Sequence, residues 1–315
     1  MIRSLVTDPC ASAVAASPRV PRRGVVIGAT AACTYAVGPV LMKAALDSMT
    51  VWTLLVWRLL VAVVLLWALP PAWRAMRGMP RSAMAWIGPL ALGAIAYGGQ
   101  LVLFATALEH VSASMATILF HTAPIVVVAA AVLIGRESLT ALSGLALALG
   151  VGGVAVVAAG GGDLRAEPVG IILSLGSAVA CAAVVVGIDL FGERVSPLSL
   201  AVLLSTGSLM AMLVVAPFTG VGVPQGGDDW MLVLGLGAVP GVIGSIALLA
   251  AINDIGPSLA SILLTLEPPV TVLLAWLVLD EWLSAPQLAG GMVILAAMVI
   301  ANRAAGRSSL EVPPA

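Results

Sequence analysis

The chain contains two related stretches, ALEHVSASMATILFHTAP at residues 107–124 and AINDIGPSLASILLTLEP at residues 251–268. A shift of 144 residues superimposes the polar residues and the final proline of both stretches, and it extends to a glutamate beyond them. The aligned pairs are Ser114 with Ser258, Thr117 with Ser261, His121 with Thr265, Pro124 with Pro268 and Glu137 with Glu281. The chain therefore contains an internal repeat.

The aligned polar residues are spaced so that they share one side of a helix. At about 100° per residue, offsets of about 0, 3, 7 and 10 positions fall within one narrow stripe. Each copy therefore predicts a helix with a polar line along an otherwise apolar surface. The presence of the line in both copies favours a surface that faces a ligand. Serine and threonine can also bond to the carbonyl four residues earlier and join helices to each other, so a packing role stays open.

The composition is that of an integral membrane protein. Hydrophobic residues make up 61% of the chain and charged residues 9%, whereas a soluble domain is about half apolar and about a quarter charged. Ten apolar stretches of roughly 18 to 25 residues are long enough to cross a hydrocarbon layer about 30 Å thick as helices. We expect these spans at residues 24–43, 51–70, 84–107, 113–134, 141–160, 168–188, 198–218, 230–250, 257–279 and 285–302.

The ten spans divide into two units of five, residues 24–160 and 168–302, which the linker 161–167 joins. Because five is odd, the second unit enters the membrane from the opposite side. The predicted fold is therefore all-helical, with two inverted five-helix repeats. Inverted repeats are common in secondary transporters, whose substrate site lies near the membrane midplane where the repeats meet. An old duplication without a mechanistic role is the alternative.

The basic residues are distributed unevenly over the predicted loops. If the N-terminus is cytoplasmic, eleven of the fourteen basic residues lie on the cytoplasmic side, two lie outside, and Arg58 lies within a span. Positive charge accumulates on the cytoplasmic side of membrane proteins. We therefore expect the N-terminal tail, residues 1–23, and the C-terminal tail, residues 303–315, to be cytoplasmic.

Two five-span units with a proline near the middle of each fourth helix resemble the EamA branch of the drug/metabolite transporter superfamily. The similar motifs are Gly135-Arg136-Glu137, Leu266-Glu267-Pro268, Leu279-Asp280-Glu281-Trp282-Leu283 and Trp57-Arg58-Leu59-Leu60. The resemblance extends from about residue 24 to residue 302. It implies a ten-helix carrier of the plasma (inner) membrane, with a central cavity shared between the repeats. Such carriers commonly export amino acids, other metabolites or toxic compounds.

Two ionisable residues lie within the spans and are candidates for ion coupling or an ion pair. Glu267 lies near the middle of the ninth span, where an unpaired charge costs several kcal/mol. It could take up and release a proton as access alternates, or it could be a packing carboxyl bonded to a neighbouring helix. Helical spacing turns Glu267 about 180° away from Ser258, and thus off the polar line, unless Pro268 changes its direction.

Arg58 lies about 10 Å deep in the second span. It could extend to the interface, pair with an acid such as Glu267, or bind an anionic group of a substrate. Pairing is the structural interpretation, and contact with a substrate is the functional one.

The other predicted substrate contacts are polar residues within the spans. They are Tyr97, Gln100, Ser114, Thr117, His121, Ser258, Ser261 and Thr265. A histidine could titrate near neutral pH, although a single buried histidine is more often neutral and hydrogen-bonded. Pro124 and Pro268 each remove a backbone donor and are predicted hinges, unless their kinks serve packing alone.

The inverted repeats thus predict a secondary active transporter. The resemblance implies export of small metabolites, such as amino acids or derivatives, and together with Glu267 it makes protons the candidate coupling ion. The alternatives are multidrug efflux of organic cations and a polytopic membrane protein that transports nothing. The chain has no phosphate-binding loop for ATP, no nucleophile elbow and no zinc-protease motif. We therefore expect no enzymatic activity, no cofactor and no metal. The expected partners are a small-molecule substrate and the lipid bilayer, without nucleic acid, in a monomer or homodimer.

Overall fold

The computed structural model describes residues 21–133, 140–160, 167–189 and 195–308. Within these ranges the chain forms helices and connecting turns, with no strand. Ten helices are long and apolar enough to cross a membrane, which confirms the predicted membrane fold. Helices 1 to 10 are Arg22–Ala45, Val51–Ala68, Ala83–His110, Ala113–Leu133, Ala141–Ala159, Pro168–Ile188, Pro197–Thr219, Gly226–Gly256, Leu259–Leu279 and Ala285–Arg303. A short helix, Pro70–Arg77, connects helices 2 and 3.

Hydroxyl side chains fix the start of several helices. The Thr50 hydroxyl oxygen accepts a hydrogen bond from the backbone N–H of Thr53 before helix 2. Equivalent caps stand before helices 3, 4, 5 and 7, at Ser82, Ser112, Thr140 and Ser196. The first backbone N–H groups of a helix have no partner within the helix, so these caps define where each apolar span begins.

The packing of the helices follows the inverted repeat. Helix 1 packs against helices 8 and 9, and helix 6, its counterpart in the second repeat, packs against helices 3 and 4. Helix 2 packs against helix 7, helix 4 against helix 9, and helix 5 against helix 10. Each repeat therefore completes the other, and neither forms a separate body.

Helices 4 and 9 are interrupted at equivalent positions. The α-helix stops after Phe120 and resumes at Ala123, and it stops after Leu264 and resumes at Glu267. Pro124 and Pro268 stand second in the resumed segments. Because proline has no N–H and its ring collides with the carbonyl four residues earlier, each proline breaks the helix one turn before it.

Helices 3 and 8 contain π-helical segments at equivalent positions, Gly93–Tyr97 and Val239–Gly244. Such segments frequently occur at functional sites. Helix 3 crosses helix 7 closely at the first of them. A Cβ atom on Gly93 would lie 2.3 Å from the Leu204 carbonyl oxygen, and one on Gly207 would lie 2.1 Å from the Leu90 carbonyl oxygen. Only glycine permits this close backbone approach.

The molecule has two ends, which we call the Arg22 face and the Ala45 face after the ends of helix 1. The largest of three clusters of buried apolar side chains includes Ala45, Met49 and Val51 and lies toward the Ala45 face. A polar contact there joins the turn after helix 1 to the first turn of helix 8, since the Ser48 hydroxyl donates to Asp229 Oδ1 at 2.6 Å. Many large apolar side chains on the flanks of the bundle are exposed, as expected for a surface in contact with lipid.

Candidate functional site

A central cavity of about 380 Å³ lies between the two repeats. Every membrane helix except helices 5 and 10 contributes to its wall. The polar lining residues are Tyr35, Arg58, Tyr97, Gln100, Cys181, Ser205, Ser245 and Glu267. The larger apolar lining residues are Met42, Leu101, Phe104, Phe120, Val184, Leu204 and Leu264. The wall is thus mainly apolar, with a few polar groups and one residue of each charge type.

Equivalent positions of the two repeats line this cavity, but they carry different chemistry. A shift of 146 residues relates Arg58 to Leu204 and Tyr35 to Cys181, and a shift of 144 residues relates Phe120 to Leu264. The two repeats therefore place equivalent residue positions on the cavity wall. The residue types at these positions differ, so the wall is chemically asymmetric.

Glu267 is the first residue of the resumed segment of helix 9 and faces the cavity. A helix N-terminus stabilises a carboxylate through its free N–H groups and its dipole. The Glu267 Oε2 atom lies 3.6 Å from His121 Nε2, which belongs to the break in helix 4. The two side chains are 15% and 7% exposed. The interruptions of the two equivalent helices thus bring together a glutamate and a histidine.

The orientation of His121 determines which nitrogen faces Glu267. His121 Nδ1 lies 2.8 Å from the carbonyl oxygen of Thr117. Because a carbonyl oxygen only accepts, Nδ1 carries a proton, and Nε2 is the nitrogen available to Glu267. Without a further proton, the Nε2 lone pair would face a carboxylate. At 3.6 Å the atoms are at ion-pair distance, and one water or a small rotation of either side chain completes a hydrogen bond.

The break in helix 9 accounts for the direction of Glu267. Regular helical spacing predicts that this side chain points away from the polar line, and the interruption at Thr265 and Leu266 turns the following segment. Arg58, which was a possible partner for Glu267, lines the same cavity and is 8% exposed. Among the residues that the structure describes, no carboxylate oxygen lies within 4.0 Å of its guanidinium group. Glu267 is therefore paired with His121 and not with Arg58.

Tyr97 and Gln100 lie on the cavity wall, at the end of the π-helical segment of helix 3 and one turn beyond it. The residues of the predicted polar lines whose side chains the structure describes do not line the cavity. Ser114 and Thr117 are fully buried, and the Thr117 hydroxyl donates to the carbonyl of Ala113 at 2.8 Å. His121 lies behind Glu267.

The second polar line is also placed away from the cavity wall where its side chains are described. The Thr265 hydroxyl donates to the carbonyl of Ile262 at 2.7 Å, and Ser261 is not among the lining residues. The side chain of Ser258 lies outside the described residues, as do the motif residues 135–137. A bond from a hydroxyl to its own helix satisfies the side chain without a ligand.

Tyr35, Ser205 and Ser245 also line the cavity, and they are not among the residues predicted from the sequence. Tyr35 donates a hydrogen bond to Ser245 Oγ at 3.4 Å, and Ser245 donates to the Gly241 carbonyl at 2.9 Å. This contact joins helix 1 to helix 8 across the two repeats. Tyr35 is one of only two tyrosines in the chain and lies in the middle of a span, which was a usable signal.

A second buried glutamate lies at the Ala45 face, outside the membrane-spanning segments. Glu281 Oε2 accepts a hydrogen bond from the backbone N–H of Ala113 at 2.8 Å, at the start of helix 4. Lys43 donates to the carbonyls of Leu108 and Val111, at the end of helix 3. Burial raises the pKa of Glu281 above its ordinary value, and the bond from Ala113 and the charge of Lys43 offset part of this rise. These contacts fix the connection between helices 3 and 4.

Comparisons with known proteins agree with this architecture. The profile of the EamA-like transporter family matches residues 22–159 and 168–303. A comparison with curated proteins finds no match. One solved structure, described only as "Crystal structure of protein", covers 92% of this chain and 99% of its own, with a TM-score of 0.63 and 16% sequence identity. At that identity the likeness concerns the fold alone.

Proposed function

The chain belongs to the EamA-like transporter family, within the drug/metabolite transporter superfamily, and we propose that it is a secondary active transporter. It exports small metabolites, such as amino acids or their derivatives, across the plasma membrane. The observation that carries this proposal is the central cavity between the inverted repeats, which is bordered by equivalent breaks in helices 4 and 9. Discontinuous helices that meet near the midplane are the usual setting of a transporter site.

The proposed mechanism is alternating access. The two repeats rock about the cavity, and helices 4 and 9 bend at Pro124 and Pro268, where their hydrogen-bond ladders are already interrupted. The Arg22 face is cytoplasmic in this proposal, because the excess of basic residues lies on that side. The substrate contacts the cavity wall at Tyr97 and Gln100, and Tyr35 and Ser245 extend this polar set.

The proposed coupling site is the His121–Glu267 pair. With one proton in addition to that on Nδ1, the pair is neutral overall, either as imidazolium with carboxylate or as imidazole with carboxylic acid. Loss of this proton leaves a net negative charge away from water, which costs several kcal/mol. Tyr35, Arg58, Tyr97 and Cys181 line the same cavity and are the other titratable groups nearby. We propose that exchange of this proton between the two sides drives export.

Flux measurements in vesicles test the proposal. Right-side-out and everted vesicles are loaded with labelled amino acids and their derivatives or with cationic dyes, with and without a pH gradient, for wild type, Glu267→Gln and Arg58→Gln. We expect gradient-dependent flux of the metabolites that is lost in Glu267→Gln. Dye flux that depends on Glu267 and not on Arg58 would favour efflux of organic cations. Absence of flux for every compound would contradict the transport proposal.

A further inference from the structure

Arg58 is a buried cation that faces the cavity from helix 2. Its exposed fraction is 8%, and it lies about two turns from the start of the helix and about three turns from its end. A guanidinium group at this depth is unfavourable unless an anion, a backbone carbonyl or water solvates it. A buried guanidinium group without a partner lowers the stability of the protein. A role in ligand binding would offset this cost.

The protein provides no anionic partner for Arg58 in the part of the chain that the structure describes. No carboxylate oxygen lies within 4.0 Å of the guanidinium, and none of the described residues accepts a hydrogen bond from it. Arginine presents five N–H donors in a planar fork, which matches the two oxygens of a carboxylate. The cavity therefore contains a binding group for an oxyanion that the protein itself does not occupy.

Glu267 is the only carboxylate among the described lining residues, and it is already engaged. His121 Nε2 lies 3.6 Å from its Oε2 atom, and with one shared proton this pair carries no net charge. A substrate ammonium group that approached the other oxygen of Glu267 from the cavity would therefore meet a pair whose charge His121 already offsets. The net charge of the cavity is therefore that of Arg58, which complements a single negative charge.

The rest of the wall limits the size and polarity of the solute. Phe104, Phe120, Leu204 and Leu264 make much of it apolar, and Gln100 adds one amide. The volume of about 380 Å³ is near the lower end of the range of about 300–1,000 Å³ for small-molecule pockets. For a monoanion, a membrane potential that is negative inside favours export.

We propose that Arg58 binds the anionic group of the transported solute, and that this solute is a small amphipathic carboxylic acid without a free ammonium group. The inference rests on the proposed function. It narrows the substrate class from amino acids and their derivatives to the derivatives whose amino group is absent or acylated, such as 2-oxo acids or N-acyl amino acids.

Calorimetric titration of the purified full-length protein in lipid nanodiscs tests this assignment with four probes that share a phenyl ring. Phenylacetate is an anion, phenylacetamide is its neutral counterpart, 2-phenylethylamine is a cation, and L-phenylalanine is a zwitterion. We expect phenylacetate to bind at least about tenfold more tightly than the other three, since a hydrogen bond between charged groups is stronger than one between neutral groups.

Three variants assign this preference to Arg58. Arg58→Gln removes the charge and abolishes the preference for phenylacetate. Arg58→Lys keeps the charge but lacks the planar fork of donors, so it retains part of this preference. Arg77→Gln, in the short helix Pro70–Arg77, removes an exposed positive charge and leaves the preference unchanged. If Arg58→Gln does not assemble, the ranking of the four probes on the wild type still decides the question.

Several results would overturn the assignment. They are equal binding of phenylacetate and phenylacetamide, tighter binding of 2-phenylethylamine or L-phenylalanine, an unchanged preference in Arg58→Gln, or no binding of any probe. The binding assay requires no flux, so it is independent of the vesicle experiment. Flux without a preference for phenylacetate would support the transport proposal and refute the role of Arg58. Preferential binding of phenylacetate without flux would support the role of Arg58 and refute the transport proposal.

Discussion

The chain has two histidines, and each faces a glutamate in a different environment. His110 Nδ1 lies 2.7 Å from Glu167 Oε2 at the Ala45 face, where the side chains are 32% and 60% exposed. His121 Nε2 lies 3.6 Å from Glu267 Oε2 at the central cavity, where they are 7% and 15% exposed. The first pair joins the first repeat to the last residue of the linker, and the second pair joins the two repeats. The shorter pair is in contact with water, and the longer pair is largely shielded from it.

This comparison shows that the energetic contribution of such a pair depends more on its burial than on the distance between its charged atoms. An exposed ion pair contributes about 0–1 kcal/mol, because water and salt screen both charges. Removal of one partner from a buried pair costs about 3–5 kcal/mol, because the other partner stays buried without compensation. The proton state of the buried pair is therefore tied to the conformation around it, and that of the exposed pair is not.

The largest expected effect is on proton-driven flux through the buried pair. His121→Gln and Glu267→Gln should each lower gradient-dependent flux in vesicles by about tenfold or more, which corresponds to about 1.4 kcal/mol. The flux of the double variant should be no lower than that of the less active single variant, because the two side chains act as one unit. Independent, multiplicative losses would show that the residues do not share a function.

The exposed pair provides the matched control for this experiment. His110→Gln and Glu167→Gln remove the same chemical groups from a pair at the Ala45 face. We expect flux within about twofold of the wild type for both variants, since surface pairs contribute little. A loss as large as that of His121→Gln would contradict the distinction between the two pairs.

An intermediate effect is expected from the prolines that interrupt helices 4 and 9. Because Pro269 follows Pro268, the double variant Pro268→Ala/Pro269→Ala is needed to restore both backbone N–H groups, which allows helix 9 to continue through the break and turns Glu267 away from His121. In helix 4, His121 is the first residue of the break and its ring contacts the Thr117 carbonyl, so Pro124→Ala should disturb it less. We expect a severalfold loss of flux for the double variant and a smaller loss for Pro124→Ala, measured at equal protein amounts. The reverse order would contradict this account of how Glu267 is positioned.

The smallest effect concerns Glu281, a buried carboxylate that has no histidine partner. Burial raises its pKa, so the folded protein binds this proton more tightly than the unfolded chain does. The resulting gain in stability appears as the pH falls through the raised pKa toward the ordinary value of a glutamate. In Glu281→Gln, this part of the pH dependence of Tm is lost, by about 2 °C or less. An identical pH dependence of Tm in the wild type and in Glu281→Gln would contradict the raised pKa of Glu281.

Much of the fold follows from local features of the sequence. Ten apolar stretches predict ten membrane helices, because only a helix satisfies its own backbone in lipid. Pro124 and Pro268 predict the two interruptions, since each lacks an N–H. The repeat also relates equivalent lining positions, such as Arg58 and Leu204. These features depend on segment length and residue type, and they need no knowledge of neighbouring helices.

The candidate site is less accessible to prediction, because it depends on contacts between the repeats. The direction of Glu267 depends on how far the break rotates the next segment, and its pairing depends on a helix of the other repeat. The contact between Tyr35 and Ser245 spans 210 residues of sequence. Thr117 bonds to its own helix, so helical spacing alone does not indicate whether it faces a ligand.

The most direct test of the central claim is nuclear magnetic resonance of the protein labelled with ¹⁵N in its two histidines, over a range of pH, in wild type and Glu267→Gln. His110→Gln assigns the two sets of signals. We predict that His121 Nε2 shares a proton with Glu267 in the wild type and becomes an unprotonated imidazole nitrogen in the variant, whereas the His110 signals stay unchanged. Identical His121 signals and titration in both proteins would show that Glu267 and His121 do not hold a proton together, and the proposed coupling site would be wrong.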